Sequence, residues 1–346
     1  MKNLIRNILI SFCFLLSIAP AFGQYKTKKH IKRNHKAPTM SCENAAIYSR
    51  GLLVEGNKIF TGNSDGSMYY FNLEKQNVQL LFKLDDFVEM RDIERSGSNL
   101  IGIQSGDNGK LVLLNTGGGA KIVELPEWKG AFFDGISFLG KRGFLMGDPM
   151  NGKFMLYHSN DGGVSWEPTK ASIPAFKGEA GFASSGSNVQ VINDSTYVFV
   201  SGGEKSYFYK TTDNGNNWKG VVLPYYPGES SGAFSVHFSS DSIGVIVGGD
   251  YQNFDLKLNT AYYTTDGGES WYNAENEPRG YRACTHESNG IYYACGRNGI
   301  DFSYDNGINW IPFANGAYYS LGSNETKLIA TTKEGKIQIF DLIEPK

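Results

Sequence analysis

The octapeptide SNDGGVSW at residues 159–166 returns as TTDNGNNW (211–218), TTDGGESW (264–271) and SYDNGINW (303–310). A catalytic motif is needed once per site, so a fourfold Ser/Thr-x-Asp-x-Gly-x-x-Trp pattern speaks of construction, and repetition settles architecture before any site is sought. The residue types describe a turn. Asp161 can fold its carboxylate onto nearby backbone N–H groups, Gly163 supplies a positive φ, and Ser159 adds a hydroxyl to the same network. Trp166 then carries a large ring from the returning strand into an apolar layer.

The flanks are strand-like, KFMLYHS before the turn and VSWEPT after it. GSMYYFNL-EKQN-VQLLFKL (66–84) and GKLVLLNT-GGG-AKIVEL (109–125) repeat the strand–turn–strand order without the full motif. GKIQIFDL (335–342) stops before a return strand. The strand ahead of each turn starts at Gly66, Gly109, Gly152, Ser206, Asn259, Gly299 and Gly335, a spacing of roughly 36 to 54 residues that brackets a four-stranded blade. Two further strand-like runs precede each marker, so every unit has four strands, A to D. The expected fold is all-β: a seven-bladed β-propeller over residues 39–346. One blade cannot bury both its faces, so neighbours stack and the ring closes. Neither end shows the polar cap of an open solenoid. The last blade lacks its outer strand, and residues near 36–44 are expected to supply it, closing the ring with an N-terminal strand.

Ahead of this body, Lys2 and Arg6 precede the apolar run 8–18 and the small-residue pattern 19–23, the form of a secretory signal peptide over residues 1–23. Residues 24–38 read as a basic, solvated linker. The leader carries two cationic residues and the linker six, so the net charge of −2 becomes −10 for residues 41–346. An acidic body argues against a nucleic-acid partner. No later segment could cross a membrane, so the mature chain is expected to be periplasmic or secreted, and monomeric. Around the favoured turn Asn289-Gly290, Cys284 directly faces Cys295, at a spacing that suits either a disulfide or two small buried thiols. No metal-ligand set accompanies His286.

The four octapeptides resemble the Asp-box (BNR) repeat of sialidases, sortilin-like receptors and many secreted propellers. A wider resemblance is carried by FFDGISFLGKRGFLMGDPMNGKF, GEAGFASSG, SGAFSVHFSSDSIGVIVGGDYQN and GYRACTHESNGIYYACGRNGIDFSYDNGINW. These are similar to the secreted bacterial relatives of the photosystem II stability/assembly factor. That likeness implies a seven-bladed propeller serving in binding or assembly. TGGGAK (116–121) joins two strands, whereas a dinucleotide loop must open a helix, so no cofactor is expected.

Propeller geometry sorts the loops onto two faces. The C-to-D turns spread the motif residues Ser159, Asp161, Gly163, Trp166, Thr211, Asp213, Gly215, Trp218, Thr264, Asp266, Gly268, Trp271, Ser303, Asp305, Gly307 and Trp310 around one rim, where they cannot converge. On the opposite face, strands A starting at MRDIE, FFDG, GEAG and GYRAC place Arg91, Asp134, Glu179 and Arg282 near the axis. The B-to-C connections add Asp148, Asp250, Tyr251 and Arg297. Arginine forks suit a carboxylate or phosphate, and paired acids suit a cation or proton exchange. The plain alternative is an ion-paired ring holding blades together. Two functions follow: a non-catalytic binding propeller recognising a protein or glycan at the channel mouth, or a glycan-active enzyme using Asp134 and Glu179.

Overall fold

The computed structural model describes residues 37–42, 47–84, 88–106, 108–115 and 118–344; the signal-peptide and linker assignments on residues 1–36 lie outside them. Seven antiparallel sheets follow in order, at residues 49–83, 90–123, 133–168, 189–223, 231–273, 284–314 and 321–341, here blades 1 to 7. Each contains four strands in the simple order A-B-C-D, the blade 5 sheet gains two further short strands, Glu179–Ala180 and Gly202–Gly203, on its inner edge, and the fourth strand of blade 7 is Thr39–Ser41. That strand pairs Thr39 with Gln338, Met40 with Ile337 and Ser41 with Lys336, closing the ring as expected. Among the described residues the only helical turn is Pro126–Trp128, of 3-10 type.

Apolar cores lie between blades. Ile101, Leu111 and Leu113 of blade 2 pack with Leu145, Tyr157 and Trp166 of blade 3, and equivalent shared cores follow round the ring. Met40, Ile329 and Ile337 of blade 7 meet Ile59 and Phe71 of blade 1, so closure is hydrophobic as well as hydrogen-bonded.

The repeated octapeptides form one turn. In blade 3, Gly163 N–H donates to Ser159 Oγ (2.9 Å), while Val164 and Ser165 N–H donate to Asp161 Oδ1 (both 3.0 Å). Thr211, Thr264 and Ser303 accept from Gly215, Gly268 and Gly307 in the same way. The glycine satisfies two demands: Gly163 has φ of 83°, and a Cβ there would lie 2.7 Å from Ile101 Cδ1 of blade 2. Each turn thus presses its tryptophan onto the preceding blade. Trp166 and Trp310 donate their indole N–H to Gly163 O and Gly307 O, whereas Trp218 and Trp271 find no partner.

Blade 4 departs from the expected layout. Its strand A is Val189–Val191, and the GEAG stretch lies upstream of it. Glu179–Ala180 pairs with Gly202–Gly203, and Gly202 pairs in turn with Gly232 of blade 5. Residues 181–188, GFASSGSN, then enter the centre of the ring.

Candidate functional site

The mouth of the channel is built around residues 181–188. Arg50 Nη1 of blade 1 donates to Ser184 O (3.3 Å), and Arg91 Nη1 of blade 2 donates to Ala183 O (2.5 Å). Gly181 N–H donates to Asp148 Oδ1 of blade 3 (2.8 Å). Across the ring, Ser184 Oγ meets Tyr281 OH (3.0 Å), Ser185 Oγ donates to Ala283 O (3.0 Å), and Ser187 Oγ meets Ser235 Oγ (2.6 Å). Phe182 stacks on Phe234 with centroids 4.4 Å apart. The chain therefore spans its own channel, held by blades 1, 2, 3, 5 and 6. An uncharged run of small residues suits this place, because it follows the surrounding strands closely while its hydroxyls pair inside the ring.

The eight expected site residues do not meet over one opening. Arg91, Asp134 and Asp148 do come together. Arg91 also pairs with Glu89 (2.5 Å), which pairs with Arg50 (3.0 Å), and Arg91 lies over the Phe132 ring at 5.1 Å. Asp134 is fully buried, and neither oxygen has a hydrogen-bond partner of good geometry. Burial, then the neighbouring Asp148, hold its carboxyl well above the usual carboxylate range; the Asp148 and Ala183 N–H groups nearby oppose this weakly. Burial likewise pushes Asp148 up to about 6.

The others are engaged elsewhere. Glu179 accepts from Ser201 Oγ (2.5 Å), Tyr209 OH (2.9 Å) and Phe176 N–H (2.9 Å), so its carboxylate anchors the foot of the channel segment rather than facing the axis. Arg282 is sealed from solvent against Asp301, with Tyr281 O and Asn298 Oδ1 also accepting. Asp250 caps its own loop, accepting from Ser230 Oγ (2.7 Å), Gln252 N–H (2.9 Å) and Asn253 N–H (3.2 Å). Tyr251 is 36% exposed, and the exposed Arg297 lies over Phe254 at 5.7 Å. Cys284 and Cys295 stand opposite one another as expected, but as buried thiols, so the disulfide is not formed. A hydrogen bond from Cys295 lowers the Cys284 thiol to about 7, and Ser187 Oγ and Leu321 N–H also point at its sulfur. As a thiol, Cys284 points its S–H at Thr285 O (3.8 Å).

Sequence reasoning missed Arg50 and Glu89, and also Asp92 and Glu94 on strand A of blade 2. Burial pushes Asp92 up to about 7, even though Ile93 and Ile136 N–H donate to it; burial and Asp92 together hold Glu94 well above its usual range. Asp92 and Glu94 share one side of the MRDIE strand, a spacing visible in the sequence. Also missed was a group of exposed side chains on the same face as the channel mouth. Tyr226 is 63% exposed, Leu258 50% and Phe176 44%, joining Tyr251 on the D-to-A and B-to-C connections of blades 4 and 5. Phe176 stacks on Tyr207 (5.2 Å), with Lys205 Nζ 4.1 Å above its ring. Hydrogen bonds from Gly228 to Gly203 and from Tyr251 to Ser230 join these loops into one surface.

Known proteins share this architecture. A family profile described as sortilin, neurotensin receptor 3, matches residues 154–298, the stretch that holds three of the four repeated turns. The chain is a seven-bladed β-propeller. No curated protein matches it. Among solved structures, a virginiamycin B lyase from Staphylococcus aureus aligns with a TM-score of 0.64 at 13% identity, over 89% of this chain and 99% of that one. The WD40 propeller domain of Doa1 aligns at 0.61 and 10% identity, over 89% and 98%, and the Neurospora crassa Pan2 WD40 domain at 0.62 and 9%, over 87% and 93%. At such identities the likeness is one of fold.

Proposed function

We propose that this propeller is an exported, non-catalytic binding protein that recognises a protein or glycan through its channel-mouth face. One observation carries the reading: Phe176, Tyr226, Tyr251 and Leu258 are each exposed on loops of that face, with Lys205 over the Phe176 ring and Arg297 over Phe254. Exposed aromatic rings flanked by cations are anchors for a partner, because they offer large area at little entropic cost. The enzymatic alternative loses support from the same geometry. Asp134 lies beneath Gly181 without solvent contact, and both Glu179 oxygens are spent on internal donors. Neither acid can reach a glycosidic bond while the channel segment is in place. The resemblance to photosystem II stability/assembly factor relatives, and the receptor named in the matching family, support binding or assembly as the role.

The test uses the chain from Gln24 onward, the expected mature form, on a glycan array and in pull-downs from envelope and secreted fractions. A specific partner whose affinity drops at least about tenfold for Tyr226→Ala with Tyr251→Ala supports the reading. Hydrolysis of a panel glycan, abolished by Asp134→Asn, overturns it.

A further inference from the structure

We propose that residues 181–188 form a pH-responsive strap across the channel, seated while the carboxyls of Asp92 and Asp134 retain protons and loosened as they ionise. The two glycines of the strap rest on these groups. A Cβ at Gly181 would fall 2.5 Å from Asp134 Oδ2, and one at Gly186 would collide with the Asp92 carboxyl. Asp148 holds the strap's first N–H and works in the opposite sense, since a carboxylate accepts more strongly than a carboxyl. Asp134 is the decisive member, since it is fully buried and its oxygens have no hydrogen bond of good geometry, only the nearby Asp148 and Ala183 N–H groups and the Arg91 charge. A bare carboxylate in that position is costly, whereas a protonated carboxyl is tolerated.

The remaining charged and titratable groups around the strap are few. Arg91 faces Asp134 and Asp148 from blade 2, with Glu89 and Arg50 beyond it. Glu94 and, more distantly, Glu55 face Asp92. Tyr281 and Cys284 touch the strap from blade 6. The strap itself carries no charge, so its seating responds to these neighbours alone. Arg91 already supplies the local cation and pairs with Glu89, which limits what a metal ion would gain beside it. Cys284 works in the opposite sense: its thiolate would accept more strongly from Ser187 as pH rises. Burial raises both carboxyls, Asp92 to about 7 and Asp134 well above its ordinary range, so the protonated set persists through mildly acidic pH and Asp92 ionises as pH passes neutrality. Each proton leaves to solvent, and the pair at Asp134 and Asp148 becomes a like-charge contact under Gly181.

Hydrogen exchange on the folded chain, expressed as protection factors to remove the intrinsic pH effect, reads this directly. Amides of residues 183–187 should lose at least about tenfold in protection between pH 5 and pH 8, while the blade 5 strand Gly244–Asp250 keeps its own. The double variant Asp92→Asn with Asp134→Asn should keep strap protection at pH 8. The infrared band of protonated carboxyls in the unmodified protein, weaker at pH 8 than at pH 5.5, gives a second readout that needs no variant. Equal strap protection at both pH values overturns the proposal. So does loss that the blade 5 strand shares, absence of the infrared band, or protection restored at pH 8 by calcium, which would make the acids a cation site.

Discussion

Arg282 and Asp301 form an ion pair sealed from solvent, and Arg279 completes it through Nε, 2.7 Å from Asp301 Oδ1. The pair ties the loop entering blade 6 to its strand C. Removing one partner strands the other charge in a dry site. Asp301→Asn is expected to cost about 3–5 kcal/mol in denaturant unfolding, as breaking buried pairs does. Partner or glycan binding by the surviving folded fraction should be unchanged.

The four turns differ in how they hold their tryptophans, and a substitution series separates the contributions. Trp→Phe at 166 and 310 removes an indole hydrogen bond as well as area, whereas at 218 and 271 it removes area alone. The first two variants should lose about 1 kcal/mol more than the second two in equilibrium unfolding. Ser159→Ala, which leaves the buried Gly163 N–H without its acceptor, should cost about 1–3 kcal/mol.

Stability should fall as pH rises through the weakly acidic range. Unfolded aspartates titrate near about 4, while the folded protein holds Asp148 to about 6 and Asp92 to about 7. Between those values the folded state binds more protons, so raising pH favours unfolding. Asp65 and Asp250 work in the other direction. Burial raises them, but hydrogen bonds prevail and hold both below their ordinary range, so their stabilisation is lost as pH falls below about 4. Thermal unfolding should peak between these limits, and Asp92→Asn should flatten the upper slope.

Ring closure rests on a three-residue strand and its apolar neighbours. Deleting residues 37–42 removes Met40 and Cys42 from the core between blades 7 and 1 and bares the edge of Lys336–Asp341. The truncated protein should unfold several degrees lower and self-associate through that edge, as seen by calorimetry and size-exclusion chromatography.

The blades were legible because their signals are local. Asp161 and Gly163 fix a turn whatever surrounds them, and the seven strand markers fall within two residues of the observed strands C. The site was less legible because it depends on where a long connection travels. GEAG resembles the start of a strand A, yet Glu179 pairs with Gly203 and its side chain binds Ser201 and Tyr209. GFASSGSN has neither alternation nor charge, so nothing in its pattern announces a path through the ring. The wider intervals, from Gly152 to Ser206 and from Ser206 to Asn259, did hold a clue. The first contains the strap, and the second ends in the loop that exposes Tyr251 and Leu258. Arg50 and Glu89 escaped notice because ion pairing between blades leaves no spacing rule in the sequence.

The central claim is that the protein fills its own axis and leaves an aromatic surface for recognition. An experimental density map of the ring centre tests it most directly. The account predicts continuous main-chain density for residues 181–188, with the Arg91 guanidinium on the carbonyl of Ala183. A water-filled channel with the carboxylates of Asp134 and Glu179 open to it would contradict the account.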